Sequence, residues 1–519
     1  MVSVLLTGIL ITSCDSNLDL TNPSYRTVDS YYETSSELLS ATNSIYSVLH
    51  SISLAGREWF FIHDLRSDEV KSGGGQLEVK RRQILQGASA PSNVLIADVW
   101  EGLYVLIHRA NVVVASGPNV TDNEELRDRL VAEAKFLRAW AYFELVSMWG
   151  PVPLYTAPVT ETDQFKPRAP ESEVYAQIIL DLQDAAAVLP SSYTGGDLGR
   201  VTNGAANAML GRVYMQQHDY ASAKTHLLKV YNDSQYGLLD NYYDNFKSET
   251  EFNKETVFCA VFMSKGTDEY NWGGGQVGNG PNSGQTTIRS QEYCPLAWRN
   301  LIPSDKYLNN FEIAGTDGAT KTDPRLAMSV YMTGDTFNGG TETMTASMQN
   351  GNASTFHGET IKASWKKYTL LYKQSYEVAS GYNSSGINQR MIRFAEILIN
   401  LAECEIETNP GNIAGALAYL NEVRARPSVD MPPYPTAQYP ANNKMDVIRI
   451  IMHEKMAELG GEQLRNIDIK RWREQGYFEE EPISYFTEGR DELLPIPSNE
   501  VSNNPELGSG SIPAQNPGY

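Results

Sequence analysis

One stretch of the sequence, residues 203–231, constrains the fold more than any other. Within it, apolar side chains recur every three or four residues in two consecutive runs, which begin at Ala206 and at Tyr220. This spacing places the apolar side chains on one face of a helix. Polar residues at 217–219 separate the two runs. We therefore expect two short amphipathic helices that pack against each other.

The same stretch approximates a tetratricopeptide repeat. Gly211 and Ala223 are the small residues that let two helices approach closely, and Tyr214 and Leu227 are the large residues that fill the groove between them. One such pair cannot bury its apolar face alone, so further pairs are expected. A weaker second match lies at residues 392–426. Helical spacing also occurs at residues 35–52, 97–114, 124–148, 171–189 and 445–475.

Helical periodicity is lost between residues 232 and 390, where Gly, Asn, Ser and Thr dominate. Loops of this length inside a compact protein usually carry function. We therefore predict a mainly α fold in which tetratricopeptide-like helical pairs form a scaffold at 35–231 and 391–519. The loop-rich, irregular insert at 232–390 would lie on the ligand side of this single body.

The amino-terminal residues are typical of a secretion signal. An apolar run at residues 2–11 is too short to span a bilayer but suits the core of a signal peptide. Small residues then precede Cys14, as in a bacterial lipobox. We predict a signal peptide at 1–13, acylation of Cys14 and a tether at 14–34. The alternative is a buried strand that ends in an ordinary core cysteine.

Composition and motifs exclude several classes of function. The 42 Lys and Arg residues against 63 Asp and Glu residues give a net charge of -21, which argues against a nucleic-acid partner. The sequence has no phosphate loop, nucleophile elbow or zinc motif. We therefore expect a binding protein without a cofactor or metal, not an enzyme. Beyond Cys14, the cysteines Cys259, Cys294 and Cys404 are odd in number and imply no disulfide framework.

Several segments, taken in order, resemble the SusD/RagB family of surface lipoproteins. They are the lipobox, RAWAYFEL at 138–145, WGPVPL at 149–154, RFAEIL at 393–398, NEVRAR at 421–426, the Arg471–Trp472 pair, LPIP at 494–497 and QNPGY at 515–519. The resemblance implies a lipid-anchored protein on the outer membrane of a Bacteroidetes-type bacterium, exposed at the cell surface.

The resemblance also implies a function in nutrient uptake. Such a protein would bind oligosaccharide or polysaccharide and deliver it to a SusC-like, TonB-dependent barrel, for which it would act as the lid. Two alternatives are a peptide-binding protein of the same architecture and a helical scaffold for the transporter that binds no small ligand.

A sugar-binding site needs flat aromatic faces for the C–H side of the sugar ring and polar groups for its hydroxyls. The insert and its flanks supply Tyr270, Trp272, Tyr293, Trp298, Tyr382 and Arg390. The family resemblance adds the region between the first two predicted helices, with Trp59, Asp64, Arg66 and Asp68. The alternative for each ring is packing, and for the charged residues it is a self-paired surface cluster.

Overall fold

The structure is a computed structural model that describes residues 32–263, 286–316, 318–378, 382 and 385–519. Its helices, numbered in chain order, are α1 Ser35–Leu49, α2 Glu58–Asp64, α3 Val79–Leu85, α4 Val94–Ser116, α5 Glu124–Trp149, α6 Glu171–Val188, α7 Asn203–Gln216, α8 Tyr220–Tyr231, α9 Arg289–Tyr293, α10 Asp305–Asn309, α11 Arg325–Ser329, α12 Phe394–Thr408, α13 Ile413–Arg424, α14 Lys444–Leu459, α15 Arg465–Glu474 and α16 Ser498–Asn503.

The strands are short, and they pair two by two. They are β1 Val70–Ser72, β2 Val152–Pro153, β3 Arg168–Ala169, β4 Thr256–Ala260, β5 Leu301–Pro303, β6 Val330–Met332, β7 Thr336–Phe337, β8 Glu342–Thr343, β9 Ser354–Phe356, β10 Glu359–Ile361, β11 Ala363–Trp365 and β12 Gln389–Arg393. The antiparallel pairs are β1 with β5, β2 with β3, β4 with β12, β6 with β11, β7 with β8, and β9 with β10.

Polar side chains cap several of the long helices at their amino-terminal ends. Asn93 precedes α4 and accepts a hydrogen bond from the backbone N–H of Leu95 at 3.0 Å. Thr202 precedes α7 and accepts one from Ala205 at 3.1 Å. Such caps satisfy N–H groups that have no partner within the helix. The sequence-predicted helices consequently match the observed ones to within a few residues.

The helices form a continuous stack. Each of α4 to α7 packs against the next helix in chain order, and α12 continues the stack by packing against α8, α13 and α14. The ring of Tyr231, at the end of α8, lies parallel to that of Phe394, at the start of α12, with 6.2 Å between their centroids. The two predicted helical pairs are therefore neighbours although about 160 residues separate them. The mainly α, tetratricopeptide-like fold is confirmed.

The two ends of the segment between α8 and α12 are held together by a pair of strands. There β4 pairs with β12, with Arg390 opposite Cys259. An aromatic-rich group of buried side chains forms a core of its own in this segment, which we call the insert cluster. It includes Tyr242, Phe246, Cys294, Tyr331, Phe337, Tyr368, Leu371 and Tyr382. The predicted loss of helical pattern thus corresponds to short strands and short helices around a separate apolar core.

Buried ion pairs fasten the insert to the helical scaffold. Glu458 on α14 receives hydrogen bonds from Arg393 at 2.7 Å, Arg426 at 2.8 Å and Arg325 at 3.1 Å. Arg325 lies on α11 within the insert, and these side chains are at most 1% exposed. Since charges this deep are stable only when paired, the network requires the insert and the scaffold to pack in one arrangement.

The described cysteines are buried free thiols. Burial raises the pKa of Cys259 and of Cys294 to about 12, so both thiols stay protonated and act as small apolar side chains. Within the described part of the chain, no helix combines the length and the apolar character needed to cross a membrane.

Candidate ligand-binding face

Trp298 is exposed, in contrast to the other tryptophans that the structure describes. Its residue surface is 40% exposed, whereas theirs is at most 4% exposed. It follows α9, within the insert, and the residues just before it, Leu296 and Ala297, pack against the insert cluster. The indole is thus exposed to solvent, while the two residues before it are packed against an apolar core.

Hydrogen bonds on both sides hold the turn that carries Trp298. The backbone N–H of Trp298 donates to the carbonyl of Gln291 at 2.9 Å, and that of Asn300 donates to the carbonyl of Glu292 at 2.6 Å. From another segment, the side-chain amide of Gln76 donates to the carbonyls of Trp298 at 2.9 Å and Arg299 at 3.1 Å. The backbone that carries the indole is therefore held in place.

Arg299 anchors the same turn through the hydrogen bonds of its buried side chain. It is 1% exposed, and its guanidinium donates to the Ser364 hydroxyl at 2.7 Å and to the carbonyls of Ala363 at 2.7 Å and Asn350 at 2.6 Å. Burial lowers the pKa of Arg299 to about 10, so the group remains charged at neutral pH. Its backbone φ of 50° lies in the left-handed region, which is costly for a residue with a side chain. The contacts of the guanidinium offset that cost.

A second exposed ring flanks the insert cluster. Tyr376 is 84% exposed and lies in a single helical turn, Ser375–Glu377. The backbone N–H of Ser375 donates to the Asn338 side chain at 2.6 Å, which ties this turn to the β7–β8 hairpin. Val378, two residues after Tyr376, packs against the insert cluster, as do Leu296 and Ala297 before Trp298. Trp298 and Tyr376 are hereafter called the exposed rings.

The predicted residues Trp59 and Asp64 lie in the core, on α2. Residues 59–62 are all apolar and buried, so this helix shows no amphipathic pattern, and the sequence did not predict it. The Trp59 indole N–H donates to Glu144 at 3.1 Å. Burial raises the pKa of Asp64, which accepts hydrogen bonds from Tyr293 and from Gln463. Both side chains therefore connect packed elements and present no free surface.

Asp68 and Arg66 connect the chain segment after α2 to the carboxyl-terminal part of the chain. Asp68 is 8% exposed and pairs with Arg465 at 2.8 Å and with Lys306 at 2.7 Å. Burial opposes ionisation, but these two cations lower the pKa of Asp68 to about 2. Arg66 is partly buried and donates to the carbonyl of Asp491 at 3.0 Å. The sequence predicted a self-paired cluster as the alternative, whereas the actual partners are distant in sequence.

The remaining predicted residues divide into buried residues and residues outside the described part of the chain. Tyr293 and Arg390 are 2% and 1% exposed, and Arg390 pairs with Glu251 at 2.6 Å. Tyr382 is 6% exposed and belongs to the insert cluster. Tyr270, Trp272 and Cys14 lie outside the described residues. The structure brings Tyr293 and Asp64 into direct contact, but in the interior.

Comparison of the sequence with known protein families shows which family the chain belongs to. The sequence matches the SusD family over residues 254–519, just over half of the chain. This chain belongs to the SusD family. Residues 75–215 also match a SusD-like family described as starch-binding and associating with the outer membrane.

Individual SusD relatives match nearly the whole chain. SusD-like protein P25 from Formosa agariphila is 25% identical over 487 residues, which cover 89% of this chain and 87% of the relative. SusD-like protein P2 from the same organism is 26% identical over 514 residues, covering 95% and 94%.

Solved SusD-like structures share the fold. One from Bacteroides fragilis superposes with a TM-score of 0.75 at 24% identity, covering 95% of this chain and 98% of that one. A structure described as a laminarin-binding SusD-like protein gives a TM-score of 0.73 at 24% identity, covering 94% and 100%. At this identity, the likeness establishes the SusD fold.

Sequence reasoning missed Tyr376 in this SusD family protein. A signal was present, because polar residues surround this tyrosine in the segment KQSYE at 373–377 and no apolar neighbour competes to bury it. Trp298 offered a weaker signal, since Leu296 and Ala297 precede it in the sequence. Its exposure depends on the turn that Arg299 holds.

Proposed function

We propose that this SusD family protein binds oligosaccharide or polysaccharide at the cell surface and delivers it to a SusC-like, TonB-dependent barrel, for which it acts as the lid. The observation that carries the binding proposal is the exposed indole of Trp298 on its anchored turn. The laminarin-binding description of one structural relative and the starch-binding description of a matching family support a glycan as the ligand class.

Rigid support of the indole favours affinity. Because the turn that carries the ring is already held, less conformational freedom is lost when a sugar stacks on the ring, so more of the interaction energy appears as binding. Tyr376 supplies a second exposed ring, with Glu342 and Asn338 on the neighbouring hairpin as hydrogen-bonding groups. Trp272 and Tyr270 belong to the same insert and remain predicted contributors.

Retention in a native gel that contains polysaccharide tests the binding proposal. Laminarin, starch and xylan are the probes, and Trp298→Ala and Tyr376→Ala are the variants. We expect at least one polysaccharide to retard the wild type and Trp298→Ala to remove most of that retardation without lowering the melting temperature. Phe252→Ala is the matched control because Phe252 is 39% exposed but does not belong to the insert cluster. Equal retardation of both ring variants and the wild type would disprove the role of the exposed rings.

The same gel separates the alternatives. A mixture of tryptic peptides replaces the polysaccharide to test the peptide-binding alternative, and release of reducing sugar after incubation tests for catalysis. Retention by peptide alone would reject the glycan as ligand, and a steady increase in reducing ends would reject a purely binding role.

Delivery to the barrel depends on the predicted anchor. Each buried acyl methylene contributes about 0.8 kcal/mol, so several acyl chains on Cys14 would hold the protein firmly on the outer membrane. We propose that the tether stays on the membrane while the body opens and closes over the barrel. Labelling with an alkyne fatty acid should mark the wild type and not Cys14→Ala, and the barrel should co-purify after detergent extraction. If cross-linking the body to the barrel leaves transport unchanged, the lid proposal is wrong.

A further inference from the structure

A cavity of about 500 Å³ lies between α4, the loop that joins β2 to β3, and the start of α16, and neither exposed ring lines it. Its volume is in the range typical of sites for small ligands. None of these three elements contributes to the insert cluster or carries Trp298 or Tyr376. We call this the α4–α16 cavity.

Aromatic rings form much of its wall. The rings of Tyr104 and Tyr155 meet edge to face, with 6.2 Å between their centroids, and Trp100 lies 5.0 Å from Tyr104. Phe165, at the rim, is 37% exposed. Aromatic faces next to solvent offer an apolar surface for the C–H side of a sugar ring.

Charged groups of both signs complete the wall. The carboxylates are those of Glu101, Glu161 and Glu500, and the cationic or titratable groups are Arg109 and His108. Within the described part of the chain, none of the three carboxylates lies within 4 Å of a basic side chain. Glu500 lines the cavity together with Tyr104 and Tyr155, and burial and the charge of Glu500 raise the pKa of Tyr155.

The loop that carries Tyr155 is fixed in place. The Asn111 side-chain amide donates to the carbonyls of Tyr155 and Ala157, both at 3.0 Å. The Tyr142 hydroxyl and the backbone of Tyr155 exchange hydrogen bonds at 2.8 and 2.7 Å. Arg138, which also holds this loop through the carbonyl of residue 156 at 3.2 Å, is itself paired with a buried aspartate. The cavity wall is thus preformed.

We propose that the α4–α16 cavity is a second ligand site, which binds one or two units of a neutral saccharide. An anion would meet three carboxylates, and a cation would meet Arg109 and the Lys166 ammonium, which lies 5.5 Å from the centre of the Tyr155 ring. A neutral polyol instead uses both signs, because its hydroxyls donate to carboxylates and accept from the guanidinium.

Saturation-transfer NMR on the full-length protein tests this site, with laminaribiose, maltose and cellobiose as probes. We expect saturable binding of at least one disaccharide that weakens about tenfold in Phe165→Ala and in Glu500→Gln. Val501→Ala is the matched control, since Val501 is on the same helix and 38% exposed but does not line the cavity. It should bind like the wild type.

The exposed rings provide the second comparison. Trp298→Ala should leave disaccharide binding to the cavity unchanged, even where it removes retention by polysaccharide. Absence of saturable binding for all three probes would overturn the proposal, as would loss of binding in Trp298→Ala with normal binding in Phe165→Ala. Because the gel reports on Trp298 and Tyr376 and the NMR titration reports on Phe165 and Glu500, failure of the cavity proposal is distinguishable from failure of the proposed function.

Discussion

Replacing Glu458 by glutamine should destabilise the protein, because this carboxylate forms ion pairs with arginines of both the insert and the scaffold. It accepts hydrogen bonds from Arg325, Arg393 and Arg426 and is fully buried. Glutamine keeps one acceptor oxygen but loses the negative charge, and its amide N–H groups would face guanidinium donors. Removing one partner of a buried ion pair costs about 3–5 kcal/mol.

The low end of that range applies here because each arginine keeps another carboxylate. Arg325 retains Asp323, and both Arg393 and Arg426 retain Glu255, each at 2.7 Å. We therefore expect a loss of about 3 kcal/mol. For a chain of 519 residues, an unfolding entropy of about 2.1 cal/mol/K per residue converts this to a melting temperature lower by about 3 °C.

Differential scanning calorimetry and urea unfolding followed by tryptophan fluorescence measure this loss. The control is Glu481→Gln, which removes a partly exposed pair with Arg473 and should cost less than about 1 kcal/mol. Because a chain of this length need not unfold in one step, the comparison uses the first transition. An equal effect of the two substitutions would refute the argument that the buried network joins the insert to the scaffold.

The pH dependence gives the same substitution a second signature. Burial opposes ionisation of Glu458, but Arg426, Arg393 and Arg325 hold its pKa well below the usual value of 4.5. The native carboxylate therefore binds a proton less readily than the unfolded one, so its contribution is present above about pH 4.5 and is lost as the pH falls further. Below pH 4.5, the stability difference between wild type and Glu458→Gln should shrink. A constant difference down to pH 2.5 would contradict this assignment.

Three further substitutions test other parts of the structure. Burial raises the pKa of Glu69 to about 8, so the native state loses stability as the pH rises from about 4.5 to 8. In urea titrations, Glu69→Gln should therefore be more stable than wild type at pH 8.5 but not at pH 5. An equal stability difference at both pH values would contradict this prediction. A Cβ at Gly211 would lie 2.4 Å from Leu227 Cδ2, so Gly211→Ala should cost about 1–3 kcal/mol by calorimetry, whereas Gly196→Ala, with nothing within 4 Å, should cost under about 0.5 kcal/mol. Arg299→Lys should weaken polysaccharide retention, because a lysine ammonium cannot donate all the hydrogen bonds by which the guanidinium holds the Trp298 turn. Unchanged retention would show that the turn keeps its conformation without those hydrogen bonds.

Taken together, the two proposals divide glycan binding between the exposed rings and the α4–α16 cavity. The insert presents Trp298 and Tyr376 on anchored turns, while the scaffold holds a cavity whose walls are preformed. Two separate weak sites on one chain raise the overall affinity for a long polymer, provided that one glycan can reach both. A retention assay across glycans of increasing length would show a step at the length that spans them.

Local residue patterns were sufficient to determine the scaffold. Apolar spacing and polar caps such as Thr202 act within a few residues of chain, so the bounds of α7 and α8 follow from the sequence alone. The same holds for the small residue Gly211, whose contact with Leu227 lies within one helical pair. By contrast, α2 was missed because its successive residues 59–62 are all apolar and carry no helical period.

Only the tertiary structure decided which polar and aromatic side chains face solvent. Asp68 has the composition of a surface residue, yet its partner Arg465 lies 397 positions away in sequence. Trp298 and Trp59 are the same residue type, but the first is exposed on a turn held by a buried arginine and the second is enclosed by packed helices. Charge compensation and burial are set by contacts between distant segments, and no local pattern encodes those contacts.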